Sequence, residues 1–312
     1  MSTYYRRTFI KHSAMLAVSV VGGRFFSASA VGSVRAVNNQ DSSHPFFTNV
    51  RNKPEVIAHR GGDGQWPGET MRALRGAVKS GADFLEMDVF LSRDGVLMLM
   101  HDHEVDRTTE GRGVVNELDS EYLHCLNAGH KWSPDGKSHP FEGKSVTSPE
   151  YRDLRVPHLG EVFDEFPNAR MVIEMKKADK SPAAALSKMI RERGMTNKVL
   201  VASFAGKFLD EFRRLSPEVA TSFSLSKGDV GRLISGRRLS DDALADPRAI
   251  QLPYQLITKD VVRRAHGRNI KVHAWTVNKL TDMYLMWNCG VDGIITDYPG
   301  PLLALLGRAV AA

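Results

Sequence analysis

Two acidic residues lie inside one of the most apolar stretches of the chain. The segment "FLEMDVFL" (84–91) carries Glu86 and Asp88 two positions apart. Successive side chains of a strand alternate between its two faces, so both carboxylates point the same way. The segment "MVIEMK" repeats the pattern with Glu174 and Lys176. Burying an unpaired carboxylate costs on the order of several kcal/mol, so we expect these charges to be neutralised together.

Two histidines follow other strand-like segments. His59 and Arg60 end "EVIAHR", and His101 belongs to "MHD", where Asp102 can orient the imidazole ring. Imidazole moves protons near neutral pH, and the guanidinium fork binds anionic oxygens. Displacement at phosphorus needs protons handled at the attacking and the leaving oxygen, and it needs cations for the remaining oxygens. This set of side chains fits that reaction better than acyl transfer.

A turn at residues 93–95 can bring the acidic and basic groups together. If Arg-Asp-Gly closes a hairpin there, we expect Asp88 opposite His101. The same register places Glu86 opposite His103. Residues that face each other across two strands have Cβ atoms roughly 5 Å apart.

The pattern leaves two explanations for the buried charge. Three inward carboxylates, Glu86, Asp88 and Glu174, outnumber the inward cations, which favours a hard divalent ion bound through oxygen. A buried salt-bridge cluster, with Glu174 bound to Lys176 and Glu86 bound to an arginine, is equally compatible with the residues.

The elements that must position these groups are nine apolar runs, most of them separated by amphipathic stretches. The runs are 55–60, 84–91, 96–102, 171–176, 199–204, 219–225, 249–254, 271–277 and 292–297. Near-continuous apolar strands that alternate with helices indicate a parallel sheet covered on both faces. We predict an α/β fold, a (β/α)8 TIM barrel with one extra strand over 55–312, and a doubly wound sheet is the alternative. Residues 104–160 break the rhythm and predict a small inserted subdomain.

The first 54 residues read differently. "YRRTFIKHSAMLAVSVVGG" followed by "SASA" has paired arginines, a short apolar run and an A-x-A-like end, which is typical of an export signal over 1–30. It resembles the twin-arginine type, so we expect the twin-arginine export machinery as a partner and a periplasmic or secreted location. Residues 31–54 are polar and predict a linker. No run reaches the roughly 20 apolar residues of a membrane span.

Composition excludes several classes of protein. The chain has 312 residues, 42% hydrophobic and 25% charged, which is an ordinary globular composition. Its net charge of +6 falls to +2 over residues 31–312, so we expect no nucleic-acid partner. Two cysteines, Cys125 and Cys289, do not make a disulfide framework and could pair or stay free. The oligomeric state is not predicted.

The ordered motifs resemble those of the glycerophosphodiester phosphodiesterase family. They are "IAHRG", "LEMDVFLSRDGVLMLMHD", "DRTTEGRG", "VPHLGEVF", "IEMKK", "VASF", "HAWTVN" and "GVDGIITDYP", and they span residues 55–300. The resemblance implies a metal-dependent (β/α)8 barrel with an inserted domain. It also implies hydrolysis of a small-molecule glycerophosphodiester to glycerol 3-phosphate and an alcohol.

Carried over by position, the resemblance assigns the site residues. His59 and His101 are the implied acid/base pair. The implied ligands of one divalent cation, Ca2+ or Mg2+, are Glu86, Asp88 and Glu174. Arg60 and Lys176 are implied to hold phosphate. Acceptance of this resemblance favours the metal over the salt-bridge cluster.

The chain departs from the family at one motif. Where the family usually shows Pro-Glu-Asn-Thr, this sequence reads Pro67-Gly68-Glu69-Thr70. Glu69 therefore stands where the asparagine would be. A one-residue shift at the start of a helix could let Glu69 substitute for the missing glutamate, or the site could be altered.

Other polar and aromatic residues allow more than one interpretation. Trp275 in "HAWTVN" either packs glycerol or headgroup carbons or fills the core. Asp297 in "ITDYP" is expected to orient a neighbour or to cap the final turn. The histidines of the insertion lack metal-ligand spacing and are expected to be solvated; they are His124, His130, His139 and His158.

Two further functions compete with glycerophosphodiester hydrolysis. Phospholipase D-type cleavage of lysophospholipids uses the same chemistry on an acylated substrate, and a barrel could bind glycerophosphodiesters without cleaving them. A metal amidohydrolase is disfavoured, because "HDH" at 101–103 is not followed by any histidine between residues 159 and 265.

Overall fold

Eight parallel strands form the centre of the fold, and a ninth, antiparallel strand is attached to them. The computed structural model describes residues 44–47, 53–224, 228–238 and 247–308. The strands are β1 (Glu55–Ala58), β2 (Phe84–Leu91), β3 (Leu97–Leu99), β4 (Arg170–Met175), β5 (Val199–Ala202), β6 (Ala220–Ser222), β7 (Pro247–Pro253), β8 (Lys271–Trp275) and β9 (Gly293–Thr296).

A helix follows each of the eight parallel strands. These helices are α1 (Met71–Ser80), α3 (Leu159–Glu165), α4 (Ala183–Glu192), α5 (Gly206–Leu215), α6 (Asp229–Ser235), α7 (Lys259–His266), α8 (Leu280–Cys289) and α9 (Pro299–Leu305), and α2 (Ser120–Cys125) lies in the insertion. Both ends of helix α1 are capped by residues typical of helix ends. Thr70 Oγ1 accepts the Ala73 N–H at 3.1 Å, and Gly81 ends the helix at φ 90°.

The parallel strands close into a ring. Their order is β1-β9-β8-β7-β6-β5-β4-β2, and β1 also pairs with β2. Strand β3 lies outside the ring, antiparallel to β2. The predicted (β/α)8 barrel with one extra strand is confirmed, and the doubly wound alternative is wrong.

The hairpin between β2 and β3 has a different register from the predicted one. Val89 pairs with Leu99, so Asp88 lies opposite Met100, whose N–H donates to the Asp88 carbonyl at 3.0 Å. The expected pairings of Asp88 with His101 and of Glu86 with His103 are therefore wrong by one residue. The turn explains the shift, because Ser92 pairs with Val96 across a three-residue loop whose Gly95 has φ 86°.

Aromatic side chains fill the N-terminal end of the barrel. Phe46 and Phe47 are buried, and the Phe46 ring stacks on Phe84 at a centroid distance of 5.0 Å. Arg170 donates to the Phe46 carbonyl at 3.2 Å. Part of the interval predicted as a linker, Pro45–Phe47, thus packs into the barrel instead of only connecting segments. The predicted export signal lies outside the described residues.

The insertion between β3 and α3 has a small apolar core of its own. That core includes Val105, Val115 and Leu123, which pack against Phe90 of β2. Trp132 Nε1 donates to the Asp63 carbonyl at 2.8 Å, so the insertion contacts the loop that follows β1.

The described residues contain neither a membrane-spanning helix nor a disulfide. Among the described residues, no helix has both the length and the apolar character required to cross a membrane. Cys125 and Cys289 are both free, so the two cysteines do not pair.

A buried histidine predicts one pH effect on stability. His273 is 0% exposed, neither ring nitrogen has a hydrogen-bond partner among the described residues, and burial lowers its pKa to about 4. The unfolded chain binds a proton near pH 6.5, whereas the folded protein does not. Stability is therefore fully present above pH 6.5 and lost as the pH falls towards 4. Between pH 7 and pH 5 this loss is about 2 kcal/mol.

Urea unfolding at pH 7, 6 and 5 checks the effect. His273→Met should reduce the fall in unfolding free energy, and His139→Met, at an exposed histidine, should not. Equal pH dependence in all three proteins would contradict a neutral buried imidazole.

Candidate active site

The candidate residues gather at the C-terminal ends of the barrel strands. His59 and Arg60 directly follow β1, Lys176 directly follows β4, and Trp275 is the last residue of β8. Catalytic sites of such barrels lie at this end, because the loops that leave the strands converge there.

Strand pairing brings three predicted carboxylates together. Glu86 and Asp88 lie on the same side of β2, and Glu174 of β4 is the direct partner of Asp88 in the parallel ladder. The backbone N–H of Arg60, held at φ 53°, donates to Glu86 Oε2 at 2.8 Å. Asp88 is 2% exposed and Glu86 is 6% exposed, so little water reaches either group.

Two cations lie among these carboxylates. Lys176 Nζ is 3.1 Å from Glu174 Oε1 and 3.4 Å from Asp88 Oδ1. Arg60 Nε is 3.4 Å from Asp88 Oδ2, yet neither atom has a hydrogen-bond partner among the described residues. Part of the salt-bridge cluster considered from the sequence is therefore present, but it leaves a buried donor and a buried acceptor unsatisfied.

The carboxylates differ in how readily they ionise. Burial, reinforced by neighbouring Asp88, raises the pKa of Glu86 to about 7. Burial also raises the pKa of Glu174 to about 7, although Lys176 opposes the shift. Burial acts in the same direction on Asp88, but Lys176 and other positive neighbours outweigh it and hold the pKa of Asp88 well below its usual range. The protein's own cations thus keep Asp88 ionised, whereas Glu86 and Glu174 ionise less readily than usual.

A fourth carboxylate, Glu69, joins this group. Its Oε1 accepts the Asp88 N–H at 3.0 Å, its Oε2 is buried without a partner among the described residues, and the residue is 5% exposed. Burial, followed by the charges of Asp88 and Glu86, raises the pKa of Glu69 well above its usual range. The altered Pro-Gly-Glu-Thr motif was the sequence signal for Glu69, but the position of its carboxylate depends on a left-handed backbone, φ 57°.

His59 is held by the carboxylate of Asp297, the residue that directly follows the last strand of the barrel. Its Nδ1 donates to Asp297 Oδ1 at 2.5 Å, and Asn278 Nδ2 donates to Asp297 Oδ2 at 2.6 Å. Burial and Arg60 lower the pKa of His59, but Glu86 and Asp297 outweigh them and the pKa is raised overall. The expectation that Asp297 orients a neighbour is confirmed.

His101 is also held by an aspartate, but its pKa is shifted in the opposite direction from that of His59. Its Nδ1 donates to Asp102 Oδ1 at 2.5 Å, and Arg107 is paired with the same carboxylate. Burial lowers the pKa of His101 to about 4, and the attraction of Asp88 and Asp102 only partly offsets it. The expectation that Asp102 orients the His101 ring is confirmed.

Trp275 contributes an apolar wall at the end of β8. Its ring meets the Phe204 ring edge to face at a centroid distance of 5.9 Å. The side chain is partly exposed and packs against the barrel core. Trp275 thus contacts the core, as one of the two interpretations made from the sequence expected, and part of its apolar surface stays exposed.

A separate group of metal-ligand side chains lies between α2 and α3. The ligand atoms of His124, His158 and Glu161 all lie within 4.8 Å of one another, and the two imidazole rings stack at 4.4 Å. The expectation of solvated histidines is wrong for His124 and His158, which are half-buried. His158 and Glu161 are three residues apart, but His124 comes from a distant segment, so sequence spacing alone does not reveal the group.

The fold and the site together define a (β/α)8-barrel enzyme. Two histidines, each hydrogen-bonded through Nδ1 to an aspartate, lie at the mouth of the barrel, the end at which the strands have their C-termini. The sequence profile of the Glycerophosphoryl diester phosphodiesterase family matches residues 59–301. The chain belongs to the glycerophosphoryl diester phosphodiesterase family. The expected enzyme class, a phosphoric diester hydrolase acting on glycerophosphodiesters, is thereby confirmed.

Individual relatives agree with this assignment. A glycerophosphodiester phosphodiesterase of Caldanaerobacter subterraneus is 31% identical over 82% of this chain and 99% of its own. One of Bacillus subtilis is 30% identical over 78% of this chain and 83% of its own. The barrel also matches an Oleispira antarctica phosphodiesterase, solved with the product sn-glycerol-3-phosphate, with a TM-score of 0.68, 24% identity and coverage of 82% and 98%.

The His59–Asp297 pair predicts the effect of removing one charge. Asp297→Asn should lower the pKa of His59, because the imidazolium loses its carboxylate. It should also lower kcat for glycerophosphodiester hydrolysis by about 10- to 10³-fold with a smaller change in KM. NMR titration of His59 and steady-state kinetics measure the two effects.

Asp292→Asn is the matched control. Asp292 precedes the same strand, β9, at the other end of the barrel and pairs with His266 at 2.7 Å. That variant should leave kcat unchanged. Equal kinetic losses in the two variants would show that Asp297 acts only through general stability.

Proposed function

We propose that this enzyme hydrolyses glycerophosphodiesters to glycerol 3-phosphate and an alcohol with two histidines and one divalent cation, Ca2+ or Mg2+. The observation that carries the proposal is the convergence of two Nδ1-held imidazoles on one buried cluster of carboxylates. The product complex of the Oleispira antarctica relative supports the choice of product.

The residues present fit a hard cation bound through oxygen. Four carboxylates converge where, within the described part of the chain, Arg60 and Lys176 supply the fixed positive charge. One buried oxygen each of Asp88 and Glu69 has no hydrogen-bond partner there. Buried charges are tolerated when they are paired or bind a metal. Glu86, Asp88 and Glu174 would hold the cation. When bound, it would supply positive charge to a phosphate oxygen.

The two histidines divide the proton transfers. In each ring Nδ1 lies against a carboxylate, which only accepts, so Nδ1 carries the hydrogen and Nε2 is the atom left to exchange a proton. One imidazole takes the proton of the attacking hydroxyl, which is that of water or the glycerol 2-hydroxyl, and the other gives a proton to the departing alcohol oxygen. If the glycerol 2-hydroxyl attacks, water then opens the resulting cyclic phosphate. Holding the rings by separate aspartates keeps both in place throughout the reaction.

Arg60 and Lys176 bind the non-bridging phosphate oxygens. Both side chains already lie at the carboxylate cluster, and Arg60 Nε is a buried donor without a hydrogen-bond partner among the described residues. A phosphate oxygen would satisfy that donor. Trp275, with Phe204 at its edge, offers the apolar surface for glycerol or headgroup carbons.

Removal of metal tests the proposal. Chelation by EDTA should abolish hydrolysis of glycerophosphocholine, and added Ca2+ or Mg2+ should restore it. Glu86→Gln should lower kcat/KM by more than about 100-fold and remove the rise in Tm that the ion gives the wild type. Glu55→Gln, at a buried carboxylate of the opposite barrel end paired with Arg170, should keep both properties.

Two results would count against this mechanism. Activity that survives both EDTA and His59→Ala would refute it, since that substitution should cost about 10²- to 10⁴-fold. An equal change of Tm in Glu86→Gln with and without ion would favour the salt-bridge cluster. Turnover of lysophospholipid but not of glycerophosphocholine would show that the substrate is an acylated lipid and not the soluble diester.

We propose further that residues 1–30 direct export through the twin-arginine machinery. Support comes from the sequence, in which Arg6-Arg7 precede a short apolar run and small residues at 27–30. Replacement of both arginines by lysine should retain the protein in the cytoplasm of a bacterial host, as cell fractionation would measure. Unchanged export of that variant would contradict the proposal.

A further inference from the structure

Glu69 is a buried carboxylate in which one of the two oxygens accepts a hydrogen bond and, within the described part of the chain, the other does not. Oε1 accepts the Asp88 N–H at 3.0 Å, whereas Oε2 has no partner among the described residues. A structural acceptor for one N–H group needs no second oxygen and no charge, because a neutral amide would do the same. The second, unpartnered oxygen therefore calls for another explanation.

The backbone around Glu69 fixes this carboxylate at a conformational cost. Its φ of 57° is left-handed, which a residue with a long side chain rarely adopts and asparagine tolerates better. The Glu69 N–H donates to the Arg60 carbonyl at 3.0 Å, and Thr70 caps α1 directly afterwards. The backbone of Glu69 is thus held between the loop that follows β1 and the start of α1.

The neighbouring position explains why the glutamate stands here. A Cβ on Gly68 would lie 2.5 Å from Asp63 Oδ1, and the Gly68 N–H donates to that same oxygen at 3.0 Å. A glutamate at position 68 would displace Asp63, which is 3.5 Å from Arg60. This chain keeps the aspartate and places its carboxylate one residue later.

The charges around Glu69 are those of the proposed cation site. Asp88 and Glu86 lie close enough to repel it, and Arg60 is the cation that offsets part of this repulsion. Arg60 is already shared with Asp88 and Asp63. An additional negative charge in this position is unfavourable in the protein alone and favourable beside a bound divalent cation.

We propose that Glu69 is a fourth carboxylate of the cation site and strengthens its binding of Ca2+ or Mg2+. The inference rests on the proposed function and adds to it a residue that lies where the related motif carries a neutral amide. Glu69→Gln is the discriminating variant, because it keeps an acceptor for the Asp88 N–H and removes only the charge.

The experiment is a titration of the metal-free, full-length protein with Ca2+ and with Mg2+ by calorimetry. These oxygen-preferring ions avoid the imidazoles of His124 and His158. Glu69→Gln should weaken the Kd by about 10- to 100-fold. Its metal-free Tm should not fall, since the substitution removes a buried acid whose ionised form Asp88 and Glu86 repel. Glu55→Gln, which removes a buried carboxylate elsewhere, should keep the wild-type Kd.

The outcomes separate the two proposals. An unchanged Kd in Glu69→Gln, with binding abolished in Glu86→Gln, overturns the role of Glu69 and leaves the cation site intact. Equal binding by wild type and Glu86→Gln overturns the cation site itself. If Glu69→Gln fails to fold, Glu69→Asn, which suits the left-handed backbone, replaces it with the same expected Kd. A fall in metal-free Tm without a change in Kd shows a purely structural role.

Discussion

The repulsion among buried carboxylates at the mouth of the barrel is the constraint on which the rest of the site depends. The four acidic residues are Glu69, Glu86, Asp88 and Glu174. Arg60 and Lys176 neutralise part of this charge through contacts of 3.1 to 3.4 Å. What they leave is a preorganised demand for positive charge. A bound cation would meet that demand and would in turn attract an anionic substrate.

The barrel makes this arrangement possible because its stability comes from elsewhere. The closed ring of parallel strands and the aromatic packing at its N-terminal end bury apolar side chains, whereas the four carboxylates lie towards the other end of the strands. Strand ends can then carry groups that oppose folding, as functional sites commonly do. The two histidines exploit the same frame, since each enters from a loop and is fixed by an aspartate, Asp297 or Asp102.

Much of this frame could be predicted from the sequence, because strand-like apolar runs and strand-end residues are local signals. The details that failed depend on distant or subtle geometry. The predicted register of β2 and β3 was wrong by one residue, because a three-residue turn closed by Gly95 sets the pairing. The grouping of His124 with His158 and Glu161 required the folded insertion. The carboxylate of Glu69 reached the site only through a left-handed backbone.

Anomalous diffraction from crystals soaked in Mn2+ tests the central claim most directly, because it locates the ion without reference to activity. We expect one strong peak at coordination distance from carboxylate oxygens of Glu86, Asp88 and Glu174. A peak confined to the His124, His158 and Glu161 group, with Lys176 still bridging the carboxylates of the barrel mouth, would show that salt bridges alone balance the buried charge.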